Sequence, residues 1–348
     1  MTELTKHVEA ARQSTYFSGA RLADDLGRFL EQQAVAIEDV GSLLADAGRV
    51  YLVGSGGSLA TLQAAKLVLD RLTGLATEAL TGYELIWRDP MPLGAGAVAV
   101  FSSYSGETAD TLAAFRLAKE RGARTVALVN TRDCSLGREA DLVIAYESAA
   151  IFEAPLAALT LAAVANSTEA RNQEAAGVEE SLMASPHVIR AAVDSYGERA
   201  EADARRFLNS HHMYVLGAGP LAPLAYKVAL TVVMENIRIG GTYCDAMEFN
   251  HGPAEALERS QMDAMVLLGT DASRPTAETT LAFLESQGAR TLVFDAAAYG
   301  EIHPLLTPLL LNSLTQWFVV YSAILRGITD LDARVFMGHG VLSDAPWP

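Results

Sequence analysis

The segment "VFSSYSGETADTLAAF", Val100 to Phe115, reads as an apolar strand ending in Ser102, Ser103, Tyr104 and Ser105. Gly106, Glu107 and Thr108 follow, and then a helix begins. Neutral hydroxyls crowded onto a strand-to-helix turn suit a ligand with several acceptor oxygens, because backbone amides at a helix start already point toward negative charge. The competing reading is that Ser105 and Thr108, and Ser58 on another turn, are helix caps worth about 1 kcal/mol each. That other turn, "GSGGSLA" (Gly54 to Ala60), offers Gly56 and Gly57 for close backbone approach and Ser58 as a donor. It is not a dinucleotide fingerprint: position six is Leu59, and no acid closes a second strand at the expected spacing. No GxxxxGK[ST] loop is present either.

A third stretch, "MENIRIGGTYCDAMEFNHGPAEA", carries Glu235 and His251, 16 residues apart (251 − 235). A carboxylate lifted in pKa by partial burial can take a proton from carbon, and an imidazole can act as the acid near neutral pH. Alternatively, Lys227, Thr231, Glu235 and Arg238 form one solvated helical stripe. Pro253 suits the first turn of a following helix, which puts His251 at a helix start. Glu248 is a second acid in the same loop. His211 and His212 are adjacent, so in a strand they face opposite ways and make a poor metal pair; nothing marks Cys244 as a thiolate.

The elements that must position these residues are α/β. Residues 16 to 46 read as helices. "RVYLVGSGGS", "GAVAVFSSYSGE" and "RTVALVNTRDCSLGREADLVIAYE" supply strands and turns, with helices between them, and "LATEALTGYEL" a short strand and loop. Residues 151–212 read as helical. A second series follows: "HMYVLGAGP", the helix "APLAYKVALTVVMENIRIGG", then "DAMVLLGTD", "RPTAETTLAFLESQG" and "ARTLVFDA". Continuous apolar runs alternating with helices predict parallel sheets covered on both faces. The likeness of "YLVGSGG" to "YVLGAGP" points to internal duplication. The expected division is a helical segment 1–35, a first domain 36–165, a helical linker 166–199, a second domain 200–326 and a tail 327–348.

The chain of 348 residues has room for two cores. Its net charge of −16 argues against nucleic acid or an anionic membrane as main partner. Two distant cysteines fit a reducing cytoplasm, and the polar N-terminus lacks a signal-peptide core. The apolar run Leu305 to Leu325 is broken by polar residues and reads as a buried helix.

"GSGGS" followed by "SYSGETADTL" resembles the SIS (sugar isomerase) domain, which binds phosphosugars. Two in tandem resemble the fructosamine-6-phosphate deglycases and the isomerase half of glucosamine-6-phosphate synthase. The resemblance implies an α/β fold of two tandem SIS domains, each a parallel sheet flanked by helices. It implies phosphate binding by Ser58, Ser103, Ser105 and Thr108, with Gly56, Gly57, Tyr104, Glu248 and His339 as candidate substrate contacts. It makes Glu235 and His251 the catalytic pair, with no metal or other cofactor, in a homodimer or larger assembly whose subunits can share the pair. The synthase has a lysine three residues before its base, where this chain has Val232, and another near its C-terminus, where this chain has "SDAPWP"; no glutaminase domain precedes "MTEL". These departures favour a deglycase that releases an amine or amino acid from a ketosamine 6-phosphate. An aldose–ketose isomerase and a non-catalytic phosphosugar sensor are the alternatives.

Overall fold

The computed structural model describes residues 2–336 except 15, 16, 18 and 20. Helices α1 (Glu3–Ala11), α2 (Arg21–Gln32) and α3 (Ala34–Ala45) open the chain. Two compact units follow from the contacts: one is Ala23–Pro186, and the other joins the residues up to Leu22 with those from His187 onward.

In the Ala23–Pro186 unit the chain alternates strand and helix. The elements are β1 (Arg49–Gly54), α4 (Gly57–Leu72), β2 (Thr77–Leu80), α5 (Gly82–Arg88), β3 (Ala97–Ser102), α6 (Ala109–Glu120), β4 (Arg124–Val129), α7 (Ser135–Glu139), β5 (Leu142–Ala145) and α8 (Glu153–Ala165). Helix α9 (Asn172–Arg206) then runs through the division between units, which falls at Pro186. The five strands are parallel in the order β2-β1-β3-β4-β5. All six residues of β3 are buried, which is why its sequence is apolar without alternation. The expected loop after β2 is instead α5, capped by the Thr81 hydroxyl on the Glu84 amide.

The other unit contains β6 (His212–Gly217), α10 (Ala222–Lys227), β7 (Gly240–Asp245), β8 (Asp263–Leu268), α11 (Arg274–Ser286), β9 (Arg290–Asp295) and α12 (Thr307–Leu325). Its sheet is parallel, in the order β7-β6-β8-β9. Each sheet therefore places its second strand outside its first and its third on the other side. Helix α12 is long and apolar enough to cross a membrane, yet its residues are almost all buried within the protein.

A second element differs from expectation. The helix predicted through Gly241 stops at Ile237, and β7 forms from "GGTYCD". Beyond Lys227 this helix is a π-helix, Val228–Ile237, closed by the Arg238 amide on the Val233 carbonyl five residues back. Two glycines let β7 start close to its neighbours, Gly241 against the π-helix and Gly240 against His212 of β6. A Cβ on Gly241 would lie 2.3 Å from the Ala229 carbonyl oxygen, and one on Gly240 would lie 2.4 Å from His212 Nδ1. Gly241→Ala must push backbone against backbone, so we expect a loss of about 1–3 kcal/mol in denaturant unfolding; unchanged stability would contradict the close approach.

Candidate active site

In a sheet whose order reverses, the chain leaves neighbouring strands in opposite directions and a crevice opens beyond their carboxyl ends. In the Ala23–Pro186 unit the reversal lies between β1 and β3, whose last residues, Gly54 and Ser102, are in register. The glycine turn and the hydroxyl turn are thus the two lips of one crevice. Gly56 has φ 56° and ψ −123°, a conformation open to glycine alone. Gly106 has φ 67°, and a Cβ there would sit 2.2 Å from Cys134 Sγ. A bond not anticipated from sequence spans the crevice: the Ser55 hydroxyl donates to Asp110 Oδ2 at 2.6 Å. Asp110 Oδ1 in turn accepts from the Thr111 amide.

The capping reading of the hydroxyls fails. Helix α4 takes Gly56 as its N-cap, with no side-chain bond, and Ser58 lies inside the helix. Thr108 occupies the N-cap position of α6, but its side chain caps nothing. Instead Thr108 Oγ1 lies 2.8 Å from Ser103 Oγ, which also accepts from the Gly106 amide. Ser105 Oγ accepts from the Glu107 amide within the turn. Ser103 is buried and shapes the turn, whereas Tyr104, Ser105 and Thr108 are exposed and Ser58 and Gly57 half-buried. The acid of the turn is turned elsewhere. The Glu107 carboxylate accepts from the Ser135 amide and hydroxyl at the start of α7, and these bonds hold its pKa below the usual range.

The equivalent crevice of the other unit, between β6 and β8, is closed by a carboxylate. A Cβ on Gly219 would lie 2.8 Å from Asp271 Oδ1, and one on Gly269 2.6 Å from Asp271 Oδ2. Asp271 Oδ2 is buried with no hydrogen-bond partner, so an anion placed there would meet uncompensated negative charge. The Asp110 carboxylate at the hydroxyl turn accepts hydrogen bonds on both oxygens, whereas Asp271 Oδ2 accepts none, so of the two crevices the one at the hydroxyl turn suits an anion better.

Glu235 lies in the last turn of the π-helix, a form that is rare and frequently found at functional sites. Its side chain is 27% exposed and lines a cavity of about 430 Å³. Burial raises its pKa; Arg334, whose Nη2 is 3.5 Å from Glu235 Oε2, and Lys227 pull it partly back. The solvated-stripe reading does not hold. Lys227 is buried and donates to Asn312 Oδ1 on α12 at 2.7 Å. Arg334 follows α12 in a stretch without periodicity, so no sequence pattern pointed to it.

Glu248 and His251 form a short 3-10 turn after β7 and are both exposed. Glu235 adjoins Gly240 at the start of β7, whereas this turn follows Asp245 at its end. No hydrogen bond joins Glu235 to His251 among the described residues, and His251 does not line the cavity that Glu235 lines. Pro253 opens only a 3-10 segment, Pro253–Glu258. Cys244 is buried, and burial pushes its thiol pKa up. His212 Nε2 pairs with Thr242 Oγ1 at 2.9 Å. His339 lies outside the described residues. Among the described residues no three His, Cys, Asp or Glu side chains gather as a metal would need.

Residues 43–168 match the SIS domain family. Fructoselysine 6-phosphate deglycase of Escherichia coli is 28% identical over 295 residues, spanning 84% of this chain and 86% of that protein. Fructosamine deglycase FrlB of Bacillus subtilis is 28% identical over 287 residues, covering 77% and 84%. The C-terminal domain of glucosamine-fructose-6-phosphate aminotransferase from Francisella tularensis shares the fold, with a TM-score of 0.76 at 19% identity over 93% of this chain and 96% of that one.

The electrostatics of Glu235 can be read directly. Removing the Arg334 guanidinium takes away a charge that favours the carboxylate, so in Arg334→Gln the Glu235 carboxyl should titrate at higher pH than in the wild type. Carboxyl-carbon NMR of the two proteins, with Glu235→Gln to assign the signal, measures this; an unmoved or lowered midpoint would contradict the pairing. Residues 43–168 thus match the SIS domain model, in a chain similar to the fructosamine-6-phosphate deglycases and to glutamine–fructose-6-phosphate aminotransferases.

Proposed function

We propose that this chain is a phosphosugar enzyme that cleaves a ketosamine 6-phosphate into an aldose 6-phosphate and a free amine or amino acid. The observation that carries this reading is Glu235, a half-buried carboxylate of raised pKa beside a cavity large enough for a small substrate. The names of the curated relatives support it. The repeated strand order supports reading the unit from His187 onward as a second, diverged SIS domain, with the domain limits drawn from the sequence.

The phosphate sits on Ser58, Ser105 and Thr108, in the turn shaped by Ser103, with Gly56, Gly57 and Tyr104 alongside. His251 helps open the sugar ring, and Glu248 organises its loop. Glu235 removes a proton from C1, the carbon that bears the amine, and the C1–C2 enaminol forms. Protonation at C2 gives a C1 imine. Water adds to C1, the C1–N bond breaks, and the aldose 6-phosphate and amine leave. An aldose–ketose isomerase would use the same proton abstraction without the hydrolysis.

Glu235 precedes β7 and His251 follows it, and we propose that the pair acts across two copies of the chain, as the family resemblance implies. Strand β7 is an edge strand, and Leu230, Met234, Tyr243 and Met247 are exposed on it and on its flanking segments, an apolar surface suited to a second copy.

A coupled assay for glucose 6-phosphate released from a panel of fructosamine 6-phosphates tests the activity. Wild type should release it, and Glu235→Gln and His251→Ala should each lose about 100-fold or more. No release from any conjugate, with phosphosugar binding intact, would sink the deglycase reading. Mixing the two inactive variants tests the sharing. Random pairing should restore about a quarter of wild-type activity, since half the dimers carry one complete site of two. An inactive mixture of exchanging subunits would mean the pair is not shared.

A further inference from the structure

Three of the four residues from Gly54 to Gly57 are glycines, so the lip of the crevice after β1 has one side chain by which it can be held, that of Ser55. Glycine loses more conformational freedom on ordering than any other residue, and Gly56 has to be kept at φ 56° and ψ −123°. The Ser55 hydroxyl gives its one proton to Asp110 Oδ2 at 2.6 Å, in the first turn of α6. Asp110 is a firm anchor. It is buried, and Oδ1 accepts from the Thr111 amide at 2.8 Å and from the Thr111 hydroxyl at 3.3 Å. Its backbone is backed by Gly82 at the start of α5, where a Cβ would lie 2.5 Å from the Asp110 carbonyl oxygen.

The duplicated half lacks this bond. The likeness of "YLVGSGG" to "YVLGAGP" matches Gly54 with Gly217 and Gly56 with Gly219, and Gly219 keeps the positive φ at 54°. Ala218 stands where Ser55 does and has no hydroxyl to donate. The bond is thus present in the crevice better suited to an anion and absent from its counterpart, where Asp271 Oδ2 has no hydrogen-bond partner.

Resting on the reading of the hydroxyl turn as the phosphate site, we infer that Ser55 and Asp110 are positioning residues whose bond latches the glycine lip to the hydroxyl lip. Asp110 acts on the phosphate through Ser55 and does not touch it. An acid beside an anion site opposes the anion by its charge and, through the latch, favours it by ordering the glycine turn. Donors on both carboxylate oxygens meet that charge within the protein, so the ordering outweighs the repulsion.

Sorbitol 6-phosphate carries the phosphate but no carbonyl, so it binds without reacting, and sorbitol is its control. Calorimetry on the wild type should show much tighter binding of the phosphate ester. Ser55→Ala removes the donor, and Asp110→Asn leaves one acceptor oxygen where the carboxylate has two. Each single variant should weaken sorbitol 6-phosphate by about tenfold, as expected for one hydrogen bond to a charged group, and the double variant should be no weaker than the singles. Ser55→Thr keeps the hydroxyl and should stay near the wild-type affinity. Alanine at this position is what the duplicated turn carries, so its backbone is one that the chain already folds. Tighter binding by Asp110→Asn would mean that the carboxylate acts by charge and not by order. Losses that multiply in the double variant would make the two residues independent. Either result overturns the latch, as would a threonine variant as weak as the alanine one. Equal binding of sorbitol and its phosphate by the wild type would instead remove the phosphate reading, and the latch with it. These measurements need no turnover, so they stand apart from the test of the deglycase reaction.

Discussion

A parallel sheet that reverses its strand order cannot cover the ends of the two strands at the reversal, and what fills that gap decides what each half of this chain can do. Between β6 and β8 the gap holds the Asp271 carboxylate against Gly219 and Gly269. Between β1 and β3 it is spanned by Ser55 and Asp110 and lined with hydroxyls that no helix cap consumes. The same topology thus gives one crevice suited to an anion and one that opposes it. In an acidic chain this matters, because the overall field does not draw an anion in and the turn itself must do so.

The second constraint is the opposition of desolvation and charge at Glu235. Burial raises the pKa of the Glu235 carboxyl, and the charges of Arg334 and Lys227 oppose that rise. A base is most effective when its pKa lies near the working pH, so this balance has chemical value. The elements that create it are a π-helix, a buried lysine anchored on α12, and the stretch after α12 that carries Arg334. All belong to the unit from His187 onward.

Much of the frame was legible in the sequence. The turns at Gly54 and Ser102 could be read because glycines and hydroxyls punctuate runs of buried β-strand residues, and α12 because its polar residues are too many for a lipid-facing helix. The π-helix could not, since bonding five residues back leaves no change of composition. Lys227, which spacing puts on a solvated face, is buried. Strand β7 was hidden by its two opening glycines, which read as a helix end. Ser103 differs from Ser105 only in burial, so sequence could not divide shaping the turn from facing solvent. Arg334 is distant in sequence and lies in a segment without pattern.

The account turns on Glu235 as the base that takes a proton from the carbon bearing the amine. The direct measurement is turnover of a ketosamine 6-phosphate deuterated at C1, in ordinary water. The account predicts a primary isotope effect and loss of label to solvent in the wild type, with neither release nor label loss in Glu235→Gln. Release of the amine with both deuterium atoms kept at C1, at a rate that Glu235→Gln does not change, would contradict it.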